Sequence, residues 1–142
     1  MARYRVSALT AVGSTTLPII SLYGSTTVRP RLKELALFNT GLSPVQLKLI
    51  RLSTLGTATG LTEVADIAEN PAPIAAAYGT HSGTAPTITA GDLYRMYLPS
   101  GGGIVLGFDE GIVIPAVANA GLGVVVSAGT GQICEAMLSW EE

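Results

Sequence analysis

His81, in the heptapeptide YGTHSGT, is the only histidine in the chain. That excludes a two-histidine metal site within one chain and leaves a single candidate base for a hydrolytic triad. Ser82 follows directly, but neighbours in an extended chain point apart, so the sequence places His81 on a water-exposed loop rather than against a nucleophile. Cys134, the only cysteine, has no second thiol for a disulfide or a metal cluster. Set beside Glu135 in an alternating run, it reads as a small buried apolar residue. Asp109 and Glu110 are adjacent and lack the spaced oxygens of a calcium loop, so they read as a turn ahead of Gly111. GTATG at Gly56 to Gly60 and GTGQ at Gly129 to Gln132 contain neither a phosphate-loop lysine nor GxGxxG, and no helix follows either, so hairpin turns account for them. Nothing selects two of the ten carboxylates as a glycosidase pair. The chain is therefore expected to be no enzyme, with no catalytic residue, no cofactor and no metal ligand.

What remains is surface. Charged residues make up 13% of the 142 positions, about half the usual share of about 25%. A surface with so little charge hides against other protein, as an oligomer or inside a larger assembly. The net charge is -2 and the basic residues are scattered apart from Arg29, Arg31 and Lys33, which argues against nucleic acid. Mean hydropathy is +0.46, and Gly111 to Cys134 carries no charge. Pro115, Asn119 and a series of glycines nevertheless break that stretch well short of the roughly 18 apolar residues of a spanning helix, so no membrane is expected. The N-terminal dozen residues, MARYRVSALTAV, have no signal-peptide shape.

These patterns need elements to carry them. GIVIPAVANAGLGVVVSAGTGQICEAMLSW, from Gly111 to Trp140, holds three short apolar runs separated by Gly, Asn and Pro: 111–115, 122–127 and 133–140. The first two are rich in Val and Ile. The third alternates Cys134, Ala136, Leu138 and Trp140 against Glu135 and Ser139, as a strand with one dry face does. Upstream, 17–23, 31–38, 44–53, 93–98 and 104–108 read as strands. Segment 31–38 also has a helical face, but it is too short to stand alone. The run 44–53 alternates Val45, Leu47 and Leu49, and a loop at Asn39 to Ser43 would make it the hairpin neighbour of 31–38. Leu47, Leu49, Leu138 and Trp140 are the expected core. Residues 54–62 read as turns, 63–70 as at most a helical turn, and 70–91 as a long surface excursion.

The first dozen residues, 1–12, read as a first strand or an extended arm, hinged at Gly13 to Thr16 from a body spanning 13–142. As an arm they would add to a partner's sheet edge, with Arg3, Tyr4 and Arg5 as the partner contacts. Eight or nine short strands suit a double-sheet sandwich of jelly-roll type or a small closed barrel. We take the chain to be a single all-β domain, an antiparallel double-sheet sandwich of jelly-roll type.

The order of pieces in residues 30 to 142 resembles the small jelly-roll decoration (cement) proteins of tailed bacteriophages. Those pieces are RLKELALFNTGLSPVQLKLIRLSTLGTATG, a loop containing His and Thr, LGFDEGIVIPAVANAGLGVVV, and SAGTGQ leading to a final strand that ends in Ser139, Trp140, Glu141 and Glu142. The resemblance implies a structural virion protein made in the host cytoplasm. It would stand as a homotrimer on the outer surface of the head and clamp the major capsid protein lattice. It supplies no catalytic or contact residue. The alternative is a carbohydrate- or receptor-binding β-module of a tail or fibre, which would need a platform of exposed aromatics.

Overall fold

Runs of Val, Ile and Leu cut by Gly, Pro and Asn every few residues leave no room for a helix, and the chain builds eleven strands. A computed structural model describes residues 1–142, the side chain of Ala90 excepted. One sheet runs in the order β6 (Val64–Ala65), β1 (Arg3–Leu9), β11 (Cys134–Glu141), β3 (Arg31–Asn39), β9 (Gly103–Val113). The other runs β5 (Ala58–Gly60), β7 (Ala76–His81), β2 (Ile20–Tyr23), β10 (Gly121–Ala128), β4 (Val45–Leu52), β8 (Ile88–Leu98).

Every pairing is antiparallel, and their pattern gives the fold its logic. Without the three short additions β5, β6 and β7, the chain is one long ribbon in which β1 pairs with β11, β2 with β10, β3 with β9 and β4 with β8. Rolling that ribbon brings β10 against β4 and β11 against β3 and closes two four-stranded layers. The result is an all-β jelly-roll sandwich. Stretch 53–87 is the turn of the ribbon. Its strands cover two sheet edges, β6 alongside β1 and β7 alongside β2.

Alternation decides what each layer buries. Leu47 and Leu49 on β4 and Leu138 and Trp140 on β11 all face the interior, none more than 3% exposed. Trp140 stacks on Tyr4 with ring centroids 5.9 Å apart, joining β11 to β1 at the centre of the first sheet. A second, smaller cluster lies on the outer face of the second sheet: Tyr23, Ile50, Leu52 and Val125, with Leu55, Tyr78 and Ile88 packed against them. The reversal of alternation at Ile50 marks this cluster, since Leu49 faces inward and Ile50 faces the outer one.

Several expectations are corrected. β3 and β4 are not hairpin neighbours but lie in different sheets, because residues 40–44 cross between the layers. Buried Asn39 holds that crossing: its amide Nδ2 donates to the carbonyls of Ser43, Leu98 and Pro99, and its Oδ1 accepts from Gly41 N. Asp109 and Glu110 do not turn the chain but form a bulge inside β9, so that 104–108 and 111–113 are one strand. Gly111 takes φ +75° there, and Lys33 and Arg31 donate to the bulge carbonyls of Asp109 and Glu110. Residues 76–81 of the expected excursion form β7, inserted between β2 and β5, with Ala75 and Ala77 buried.

Candidate functional site

Among the described residues, one buried pair of polar side chains brings a serine hydroxyl and an imidazole together. Ser21 on β2 and His81 at the end of β7 are 1% and 4% exposed, and Ser21 Oγ lies 2.7 Å from His81 Nε2. This corrects the loop position expected for His81. Opposite β5, the register of β7 slips between Tyr78 and His81, and the bulge turns His81 onto the face of its partner. Ser82, the neighbour in sequence, is on the exposed side. Burial pushes the imidazole pKa down to about 4, so it is neutral at neutral pH. Serine and histidine at this distance have the spacing of a nucleophile and its base. Two features argue against that chemistry: among the described residues Nδ1 has no hydrogen-bond partner to orient and charge the ring, and Ser21 is closed off from solvent. Ser21 gave one signal in the sequence, as the lone polar residue inside the apolar run LPIISLY.

The other chemical residues are held structurally. Cys134 is fully buried with its thiol pKa raised by burial, which keeps it protonated and unreactive. Asp92 sits between Lys48 Nζ at 3.2 Å and Arg95 Nη1 at 2.9 Å, and the hydrogen bond to Lys48 leads in holding its carboxyl below the ordinary range. Glu142 accepts from the backbone N–H groups of Ile74 and Ala75, tying stretch 53–87 to the body, and Glu63 accepts from that of Ala77 within the stretch.

The first strand divides its named residues between the two faces of its sheet. Tyr4 is buried, and its hydroxyl donates to the Pro71 carbonyl at 2.9 Å. Arg3 and Arg5 point outward: Arg3 Nε donates to Ser139 Oγ, and Arg5 clasps Asp66 with two hydrogen bonds of 2.6 and 2.8 Å. That contact draws the Asp66 pKa down and locks β6 to β1.

Beyond this ionic corner the same outer face turns apolar. Leu9, Glu135, Phe38 and Gly103 form one row across β1, β11, β3 and β9, and Ser7, Met137, Ala36 and Val105 form the next. Leu9, Phe38 and Val105 are 62%, 47% and 56% exposed. A Cβ on Gly103 would run into the Phe38 ring, so the glycine is what lets that ring lie over the adjacent strand.

The band continues onto one end of the sandwich, where loops 10–19, 40–44, 99–102 and 129–133 meet. Thr40 N donates to the Ile133 carbonyl, and Ser100 Oγ donates to that of Gly41. None of these loops contains a charged residue, and they expose Val12, Leu42 and Ile133. Glu135, second residue of β11, is the charged residue nearest that end.

No family model matches the chain, and no curated protein matches it. Among solved structures it is similar to the Tobacco streak virus coat protein at 9% identity and a TM-score of 0.36, over 99% of this chain and 86% of that one. The dimer structure of the same coat protein gives 8% and 0.27 over the same shares. The giant freshwater prawn Macrobrachium rosenbergii extra small virus VLP gives 6% and 0.23, over 97% of this chain and 76% of that one. Likenesses this distant carry no argument about function.

Proposed function

We propose that the chain is a structural protein of a virus particle: a decoration protein that sits as a homotrimer on the outer surface of a tailed-bacteriophage head and stabilises the lattice of the major capsid protein. The observation that carries this reading is the distribution of charge over the sandwich. One end and the adjoining band of one sheet face present apolar side chains and almost no charge, while the ion pairs gather elsewhere. Such a surface gains most when other protein covers it, and a sandwich with no accessible acid-base set among the described residues suits a clamp rather than a catalyst.

The jelly-roll path of the chain agrees with its resemblance to cement proteins. A glycan-binding module needs aromatics assembled on one platform. The two exposed tyrosines of β8 are instead split, Tyr97 opposite Gln46 on the outer face and Tyr94 packed on Phe108 at 5.3 Å. Electron microscopy of purified particles with mass spectrometry of their components tests the proposal. We expect the chain on the head exterior in multiples of three copies; its absence from particles refutes the reading.

A further inference from the structure

Within the apolar band Glu135 is an anomaly. It is exposed, lies in register between Leu9 and Phe38, and has neither an ion-pair nor a hydrogen-bond partner among the described residues. A carboxylate in such a setting is hydrated while the face is open to water. A partner that covered the band without matching it would strand the charge, at a cost larger than most apolar contacts return. The partner must therefore bring a cation to this point and apolar surface around it.

The chain's own cations are poorly placed to supply it. Arg3 and Arg5 bind Ser139 and Asp66, Lys48 and Arg95 share Asp92, and Arg31, Lys33 and Arg51 donate to the carbonyls of Glu110, Asp109 and Val113. Arg29 is on the loop leading into β3, at the opposite end of the sandwich. A second copy could reach Glu135 only by breaking one of these contacts or by presenting its far end.

We infer that the band formed by Leu9, Glu135, Phe38, Met137 and Val105 is the docking surface for a different protein, one that presents a single Lys or Arg within an apolar patch. This rests on the functional reading above in taking that protein to be the major capsid subunit of the lattice. Val105 and Glu135 are exposed on strand faces, so substituting them leaves the core in place.

The test uses shells assembled from that capsid protein. Titration of wild type, Val105→Lys, Glu135→Lys and, on the opposite sheet, Tyr97→Lys is followed by co-sedimentation, with thermal melts to confirm folding and light scattering of each free protein. We expect Val105→Lys and Glu135→Lys to weaken shell binding about tenfold or more, as unmatched interfacial charge does, and Tyr97→Lys to bind like wild type. Wild-type binding left unchanged by both band substitutions overturns the inference while the functional reading stands. Dissociation of a free oligomer by the same substitutions makes a second copy the occupant and also overturns it. Failure of the wild-type protein to bind shells refutes the functional reading and, with it, this docking surface.

Discussion

An imidazole sealed beside a serine, with no acid on its other nitrogen, makes stability sensitive to protons in a known direction. The folded-state pKa of His81 lies at about 4, below its ordinary 6.5, and burial alone is the cause. Above pH 6.5 the ring is neutral in both states and its full contribution is present. As pH falls from 6.5 towards 4 the unfolded chain takes up a proton that the folded chain refuses, so stability is lost over that window, by up to about 3 kcal/mol. Denaturant unfolding at neutral pH and near pH 4.5 measures the loss, and His81→Gln should remove most of the difference from wild type in this interval. An equal acid loss in both proteins would place the sensitivity in the carboxylates. At the apolar positions the expectation is simpler: Leu49→Ala should cost about 2 to 5 kcal/mol, read from the same unfolding curves. Leu49 and Leu138 were legible as core because Val45, Leu47 and Leu49, and Cys134, Ala136 and Leu138, alternate with polar or half-buried residues in their runs. His81 was not, because the residues around it read as a loop, and the bulge that turns it onto the face of Ser21 leaves no mark in residue types.

Strands are more legible than their partners. Alternation tells which side chains share a face, but which strand lies alongside depends on how the whole ribbon rolls, and this is why β3 and β4 looked like a hairpin when they belong to opposite layers. β7 was missed for a different reason: AAYGTH is short and rich in Ala and Gly, and it is a strand because β2 and β5 hold it on both sides. That dependence predicts how stretch 53–87 comes loose. Glu142→Ala removes the carboxylate that accepts from Ile74 and Ala75, so limited proteolysis should cut faster near Ala72 to Ile74 while the melting of the main sandwich changes little. Unchanged cleavage would mean that β7 pairing alone holds the segment. β1 behaves differently, since Tyr4 and Val6 are core residues and its backbone pairs with β11 through seven positions. Deleting residues 2 to 12 should therefore abolish folding, seen as loss of a cooperative melt. A folded protein that binds shells weakly would instead return the segment to the role of an arm.

At the scale of the whole molecule, charge is sorted along the roll. The sequence shows that charges are few; only the fold shows that four uncharged loops, far apart in sequence, meet at one end, and that an apolar band runs from there across the first sheet to the ionic corner of Arg3, Arg5 and Asp66. This sorting bears on how the proposed docking responds to salt. The Debye length shortens from about 10 Å at about 0.1 M to about 3 Å at about 1 M, which removes long-range attraction between exposed charges but leaves apolar burial intact. An interface made of Leu9, Phe38 and Val105 around one carboxylate has little long-range attraction to lose, and a cation desolvated against Glu135 is screened far less than an exposed one. Equilibrium binding to shells should thus weaken by no more than a few-fold across that range of salt, and that loss should appear mainly as a slower association rate. Co-sedimentation for the equilibrium and surface-immobilised shells for the rates separate the two quantities. Affinity falling by orders of magnitude with salt would mean that Arg3, Arg5 and their neighbours make the contact, and would move the docking surface from the apolar band to the ionic corner of the same sheet.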